Sequence, residues 1–361
     1  MKHSVLLLLL CWLLAGLAGC RGDIPFVHSE EEELTSGDAG VVKGFFLLNE
    51  GNMGSNKASL DFFNYETGRY MRNIYPTRNP DVVKELGDVG NDIAIYGDKL
   101  YAVINCSHYV EVMDVRTAKH IGSIDILNCR YIVFHDGKAY VSSYAGPVQI
   151  DPNARPGKVV EIDTVSLQIT REVVVGYQPE EMVITDGQLY VANSGGYRYP
   201  NYDTTVSVID LETFTVTDTI EVAINLHRMV MDRYGRIYVS SRGDYYDIGA
   251  DVYVIDTRTN QVISRLGVAA SEMCISGDSI YMTGVEWSYV TNSNTVTYTL
   301  YDVKRNEIVS HNFITDGTDE RIQIPYGIAV NPDTKDILVC DAKDYVTPGT
   351  LFCFSADGCL K

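Results

Sequence analysis

A unit recurs along this chain every 39 to 50 residues, and no other feature restricts the fold as strongly. Each copy reads as an apolar strand, a two- to four-residue turn, an aromatic-led strand, a loop, and a strand closing on an acid. The aromatic-led strands begin at Tyr101, Tyr140, Tyr190, Tyr238 and Tyr281. The closing residues are Asp114, Asp163, Asp210, Asp256 and Asp302, in VEVMD, VVEID, VSVID, VYVID and YTLYD. A unit of short strands at this period cannot bury its apolar face alone, so neighbouring copies must cover one another. The expected fold is all-β, a β-propeller in which each unit is one four-stranded blade.

Counting the strands gives seven blades and an uneven closure. Blade one offers strands only at 45–49, 60–64 and 70–75, without an opening strand. Blades two to six cover 92–126, 131–175, 182–222, 229–268 and 273–314. Blade seven runs through 326–330, 337–341 and 351–355, and the sequence stops at Gly358-Cys-Leu-Lys361 before an outer strand. Blade one thus lacks its innermost strand and blade seven its outermost. The ring is expected to be incomplete at the junction of blades seven and one, with the chain cut short near its C-terminus. Residues 24–43 pairing as regular strands in both gaps would contradict that expectation.

The turns support the count. Strands one and two are joined through Tyr96-Gly-Asp-Lys99, Asp136-Gly-Lys138, Asp186-Gly-Gln188 and Ser276-Gly-Asp278, which supply the positive φ of tight hairpins. The five closing aspartates precede the turn to strand four, where a carboxylate accepts local backbone N–H groups. They read as structural, not catalytic.

Residues 1–19 read as a lipoprotein signal peptide: Lys2 and His3 open it, 5–17 is apolar, and Leu17-Ala18-Gly19-Cys20 has the form of a lipobox. Cys20 is then the lipidation site that holds the mature chain to a membrane. Residues 20–41, with Glu30 to Glu33, read as a lipidated acidic tether, and 42–361 as the propeller. Net charge is −19 and no basic cluster occurs, which disfavours nucleic acid as a partner. Cys106, Cys129, Cys274, Cys340, Cys353 and Cys359 show no CxxC spacing, so a zinc site is not expected. Cys340 and Cys353 flank one hairpin, where either pairing or two buried thiols is open.

Loop length separates the two faces of the ring. Turns between strands one and two, and three and four, are short and share one face. The other face carries long connections at 49–59, 142–158, 193–205, 240–251, 283–296 and 340–350. Long loops on a rigid scaffold are where binding residues collect. These hold Tyr144 and Arg155; Tyr197, Arg198, Tyr199 and Tyr202; Arg242, Tyr245 and Tyr246; Trp287 and Tyr289, with Asn105 and Asn193 between them. Blade connections on the same side add His227, Arg228 and Tyr326. The chain has 25 Tyr against 10 Phe and 2 Trp, and this mixture of aromatics, amides and arginines has the character of a paratope. No G-x-S-x-G elbow, Walker loop or local metal-ligand pattern occurs, so neither catalysis nor a bound metal or cofactor is expected. An axial metal-dependent hydrolase or lyase built on Glu50, Asn105, Asn193 and Asp341 is the less favoured alternative.

Several stretches carry a resemblance: Leu48-Asn-Glu-Gly-Asn52, Gly87-Asp-Val-Gly-Asn-Asp92, Ser142-Ser-Tyr-Ala-Gly-Pro-Val-Gln-Ile-Asp151, Gln178-Pro-Glu-Glu181, Ser240-Ser-Arg-Gly-Asp244 and Ile324-Pro-Tyr-Gly-Ile328. With them the chain resembles YncE-type seven-bladed surface propellers of the Bacteroidetes, and among these it is most similar to BtuG-type lipoproteins. The resemblance implies a cell-surface, outer-membrane lipoprotein that captures a corrinoid such as vitamin B12 and passes it to a TonB-dependent transporter. A corrinoid is a large, slightly domed disc rimmed with amides, which tyrosines and amides suit. A glycan- or peptide-binding propeller paired with another transporter is the alternative.

Overall fold

The computed structural model describes residues 29–34, 42–82, 85–288 and 293–361. Seven antiparallel sheets form a seven-bladed β-propeller, as the repeat requires. The innermost strands of blades two to seven are Gly90–Tyr96, Cys129–His135, Pro179–Thr185, Leu226–Met231, Glu272–Ser276 and Pro325–Val330. The turns take their expected form: Asp136 and Gly137 have φ of 46° and 74°, the paired left-handed geometry of a two-residue hairpin. The closing aspartates cap the next turn. Asp114 Oδ1, for instance, accepts the N–H groups of Arg116 and Thr117 at 3.0 and 2.9 Å.

Six buried apolar clusters lie between successive blades, from the one–two contact to the six–seven contact. Tyr101, Tyr190 and Tyr238, each the third residue of a second strand that begins at Lys99, Gln188 or Arg236, are among the largest fully buried side chains. That is why an aromatic recurs there: each ring is the plug between its own blade and the next.

The seven–one junction differs. Among the described residues no buried cluster spans it. Blade seven is tied to blade one by the Val42 N–H on Asp333, 2.9 Å, and by the Asn331 amide on the Tyr65 hydroxyl, 3.2 Å. In blade one, Gly44–Asn49 stands where strand two belongs, and no described strand lies inside it. Its six residues, GFFLLN, are all half-buried, whereas the second strands of blades two to five are buried along all but their first residue. The three-stranded sheet of blade seven ends at Thr350–Phe354. Beyond it, Leu360 bridges Phe354 and Lys361 N–H reaches Cys353 O, the first step of a fourth strand.

Part of the stretch read as tether belongs to the ring instead. Glu30–Glu33 pairs with Arg69–Arg72 on the outside of blade one, in register Glu30↔Arg72 to Glu33↔Arg69. Four consecutive glutamates are poor strand formers, and arginines opposite them supply the missing drive: Glu31–Arg69 and Glu32–Arg72 both close to 2.5 Å. This extra strand fills neither of the two counted gaps. Residues 283–296 also depart from expectation. The described ones, 283–288 and 293–296, are paired strand, because Ser279–Ser288 and Ser293–Asp302 run on together as one antiparallel ribbon. Cys340 and Cys353 are free thiols, as are the other four described cysteines.

Candidate functional site

The long connections of blades three, four, five and seven and the far ends of the blade-six strands Ser279–Ser288 and Ser293–Asp302 share one face, at the ends where the innermost strands begin. Those ends carry charge. Arg130 starts the blade-three inner strand, Glu180 and Glu181 that of blade four, His227 and Arg228 that of blade five, and Glu272 that of blade six. The chain turns in here from one blade to the next, so the ring brings residues far apart in sequence into one network.

Glu180 is the hub. Its Oε2 accepts Arg130 Nη2 at 2.9 Å and Nε at 3.2 Å, its Oε1 accepts the Tyr144 hydroxyl at 2.5 Å, and Arg242 Nη1 lies 3.6 Å away. Burial opposes ionisation of Glu180, yet Arg130 and Arg242 hold its carboxyl below the usual range. A second knot forms on Arg228, which ion-pairs with Glu272 and lies 3.8 Å from Glu181. Burial pushes Glu181 up to about 7 despite Arg228. The Tyr131 ring lies between the two knots, 5.6 Å from the Arg130 guanidinium and 5.1 Å from that of Arg228. Its hydroxyl meets His227 Nε2 at 3.0 Å. Burial, then the three neighbouring arginines, drives the His227 pKa well down, so the ring is neutral.

Several residues expected to contact ligand therefore build this floor instead. Tyr144, His227 and Arg228 are spent on the network. Asn105 is buried and its Nδ2 donates to Cys129 O at 2.9 Å, joining blade two to blade three. Asn193 is fully buried, donating to the Thr205 and Ser207 hydroxyls at 3.1 and 2.9 Å. Both looked like site residues because they sit at strand-two ends; there the amide staples the loop base.

The exposed layer lies above. Tyr199, Tyr245, Tyr246, Trp287 and Tyr326 present roughly half of their surface or more to solvent, with Tyr197 somewhat less. Tyr202 is half-buried and meets Tyr199 edge-on at 6.1 Å, while Tyr197 meets the buried Tyr144 at 6.2 Å. Tyr345 was missed in sequence: its loop was noted for length alone, yet it is 53% exposed and pairs edge-on with Tyr326 at 5.7 Å. Arg155 is exposed, its Nε anchored on Ala145 O at 2.8 Å. Tyr289 and Cys20 lie outside the described residues. Among the described residues, no cluster of His, Cys, Asp and Glu is arranged to hold a metal ion.

The family model described as Domain of unknown function (DUF5074) matches residues 43–351, from the first strand of blade one into the last of blade seven. The chain belongs to the DUF5074 family. No curated protein matches it. Solved structures similar to this DUF5074 protein share its fold at low identity. Kuenenia stuttgartiensis hydrazine synthase aligns with TM-score 0.58 and 16% identity, over 73% of this chain and 76% of that one. A quinoprotein alcohol dehydrogenase-like protein from Bacteroides thetaiotaomicron aligns with TM-score 0.57 and 14% identity, over 88% and 74%. A functionally unknown protein from Desulfotomaculum acetoxidans gives 0.58 and 11%, over 84% and 90%. At these identities the likeness concerns the fold alone.

Proposed function

We propose that this DUF5074 propeller is a binding protein that captures a corrinoid on its loop-rich face. In this proposal Cys20 carries the lipid that holds it at the outer-membrane surface, and a TonB-dependent transporter receives the ligand. One observation carries the binding: Tyr197, Tyr199, Tyr245, Tyr246, Trp287, Tyr326 and Tyr345 stand exposed on one face of blades four to seven, above a floor of buried ion pairs. Exposed aromatics collected on one face of a soluble ring cost solvation and are kept where a partner covers them. Rigid rings on separate blades offer flat apolar contact to a broad ligand at low entropic cost. Arg242, whose guanidinium makes only the long contact to Glu180 among the described residues, is the donor placed to meet a phosphate or an amide oxygen.

The YncE- and BtuG-like stretches also favour a corrinoid over other flat ligands. Retention of red colour after incubation with cyanocobalamin and gel filtration tests the proposal. A colourless protein, with no heat of binding by calorimetry, overturns the corrinoid. An array of neutral glycans then tests the same face for sugars.

A further inference from the structure

Beside the aromatic layer, the blade-three loop closes a cleft of about 280 Å³ against the entry to blade four. This is near the lower end of the range for small-ligand pockets. Its apolar lining is the Tyr144 ring, Pro147 and Ala154, and its polar lining includes Asp151, Arg155 and Gln178. The walls are fixed by the backbone. Asp151 N–H donates to Tyr197 O at 2.8 Å, and the Asn128 amide donates to Gly146 O.

Gln178 is the informative residue. It is only 2% exposed and holds φ of +50°, a left-handed value that a long side chain seldom adopts. Its Oε1 accepts the Tyr197 N–H at 2.7 Å, which sets the orientation of the amide. The Nε2 end has no hydrogen-bond partner among the described residues, and the side chain lines the cleft. Its donors therefore face the open side of the cleft, where water or a ligand accepts from them. Arg155 is exposed at the rim, with Nε committed to Ala145 O and no partner for its terminal nitrogens among the described residues. Asp151 supplies the complementary acceptor. One of its oxygens takes the Asn153 N–H at 2.9 Å, and the other is open.

We infer that this cleft binds a primary carboxamide carried on a short aliphatic arm. Gln178 Nε2 and Arg155 donate to the carbonyl oxygen, Asp151 accepts from the NH₂, and Tyr144 with Pro147 covers the methylenes. Arg155 and Asp151 cancel in charge, so a neutral group is preferred to a carboxylate, which Asp151 repels, and to an ammonium, which Arg155 repels. The assignment rests on this face being the ligand-binding face, and deepens it by naming the functional group one arm of the ligand must bear.

Saturation-transfer NMR on the full chain tests it with three probes: propionamide, propionate and propylammonium. Propionamide should saturate, and the two ions should bind about ten-fold more weakly, the difference one well-placed hydrogen bond makes. Gln178→Glu keeps the acceptor for Tyr197 N–H but removes both donors, so propionamide affinity should fall about ten-fold. Arg155→Met, at an exposed position that leaves the fold intact, should cause a similar loss. Asp151→Asn should turn the preference toward propionate. No saturation by any probe at tens of millimolar overturns the inference. So does equal binding of propionate and propionamide by the unmodified chain, or wild-type propionamide binding in all three variants. If propionamide binds and cyanocobalamin does not, the corrinoid assignment fails while the carboxamide site stands. The reverse result fails only the carboxamide site.

Discussion

The Tyr144 hydroxyl and Glu180 Oε1 lie 2.5 Å apart, a contact made across two blades and 36 residues of sequence. The same carboxylate neutralises Arg130, so the first of the two knots beneath the aromatic layer hangs on one side chain. Glu180→Ala leaves Arg130 buried without its counter-ion and Tyr144 without its acceptor. Removing one partner of a buried pair costs about 3–5 kcal/mol. Chemical denaturation should show a loss of that size, and an unchanged midpoint would mean that the network contributes nothing.

The aromatic layer is tested by truncation. Alanine at Tyr197, Tyr199, Tyr245 and Trp287 together should leave the fold intact, because all four are at least one-third exposed. Ligand affinity should drop sharply, since one buried aromatic hot spot is worth about 2 kcal/mol or more. Calorimetry with cyanocobalamin reads the difference, and wild-type affinity in the quadruple variant removes these residues from the site.

Stability should also depend on pH through Glu181. Its folded pKa of about 7 lies above the ordinary 4.5, so between those values the folded protein holds a proton that the unfolded chain has released. Stability from this group is therefore greatest at low pH and falls as pH rises through 7. Glu272 and Asp92, also raised by burial, act in the same sense. His227, held neutral in the fold, acts in the opposite sense as pH falls below 6.5, so the Glu181 share is read by difference: Glu181→Gln should raise the melting temperature at pH 8 more than at pH 5. A variant with the unaltered slope would clear Glu181 of the effect.

The seven–one junction should open first. Hydrogen–deuterium exchange should find Gly44–Asn49 and Thr350–Phe354 less protected than the inner strands Cys129–His135 and Pro179–Thr185, which sit within buried clusters on both sides. Extending the chain after Lys361 by about twenty residues of alternating apolar pattern should raise the melting temperature by covering unpaired edges. Uniform protection around the ring would show that the junction is already sealed.

Membrane attachment is tested at Cys20. A Cys20→Ala chain should leave the membrane fraction on centrifugation; if it still sediments and remains open to external protease, lipidation there is wrong.

Period and turn chemistry made the ring legible in sequence, because every blade repeats the same local demands: an aromatic plug, a positive-φ turn, an acid before the last strand. Among the described residues, the three-stranded sheet of blade seven and the lack of a strand inside Gly44–Asn49 match what counting strands gives. What escaped was set by partners distant in sequence. Glu30–Glu33 carries no strand propensity of its own and is ordered by arginines some forty residues away. Asn105 and Asn193 looked like surface amides until blade packing buried them. Tyr326 was chosen, but its partner Tyr345, in an otherwise polar loop, carried no periodic signal.

On the proposed lipidation of Cys20, the outer strand Glu30–Glu33 sets how far the ring stands from its support. With Cys20 lipidated, only residues 21–29 separate the anchor from the body of the protein. Nine residues reach at most about 30 Å even when fully drawn out, where a free stretch to residue 41 would reach about 70 Å. Blade one is thereby leashed close to the bilayer. In a seven-membered ring the blades opposite it are four and five, which bear Tyr197, Tyr199, Tyr245 and Tyr246. On the proposed function, a ligand caught there rests on the side of the disc farthest from that leash.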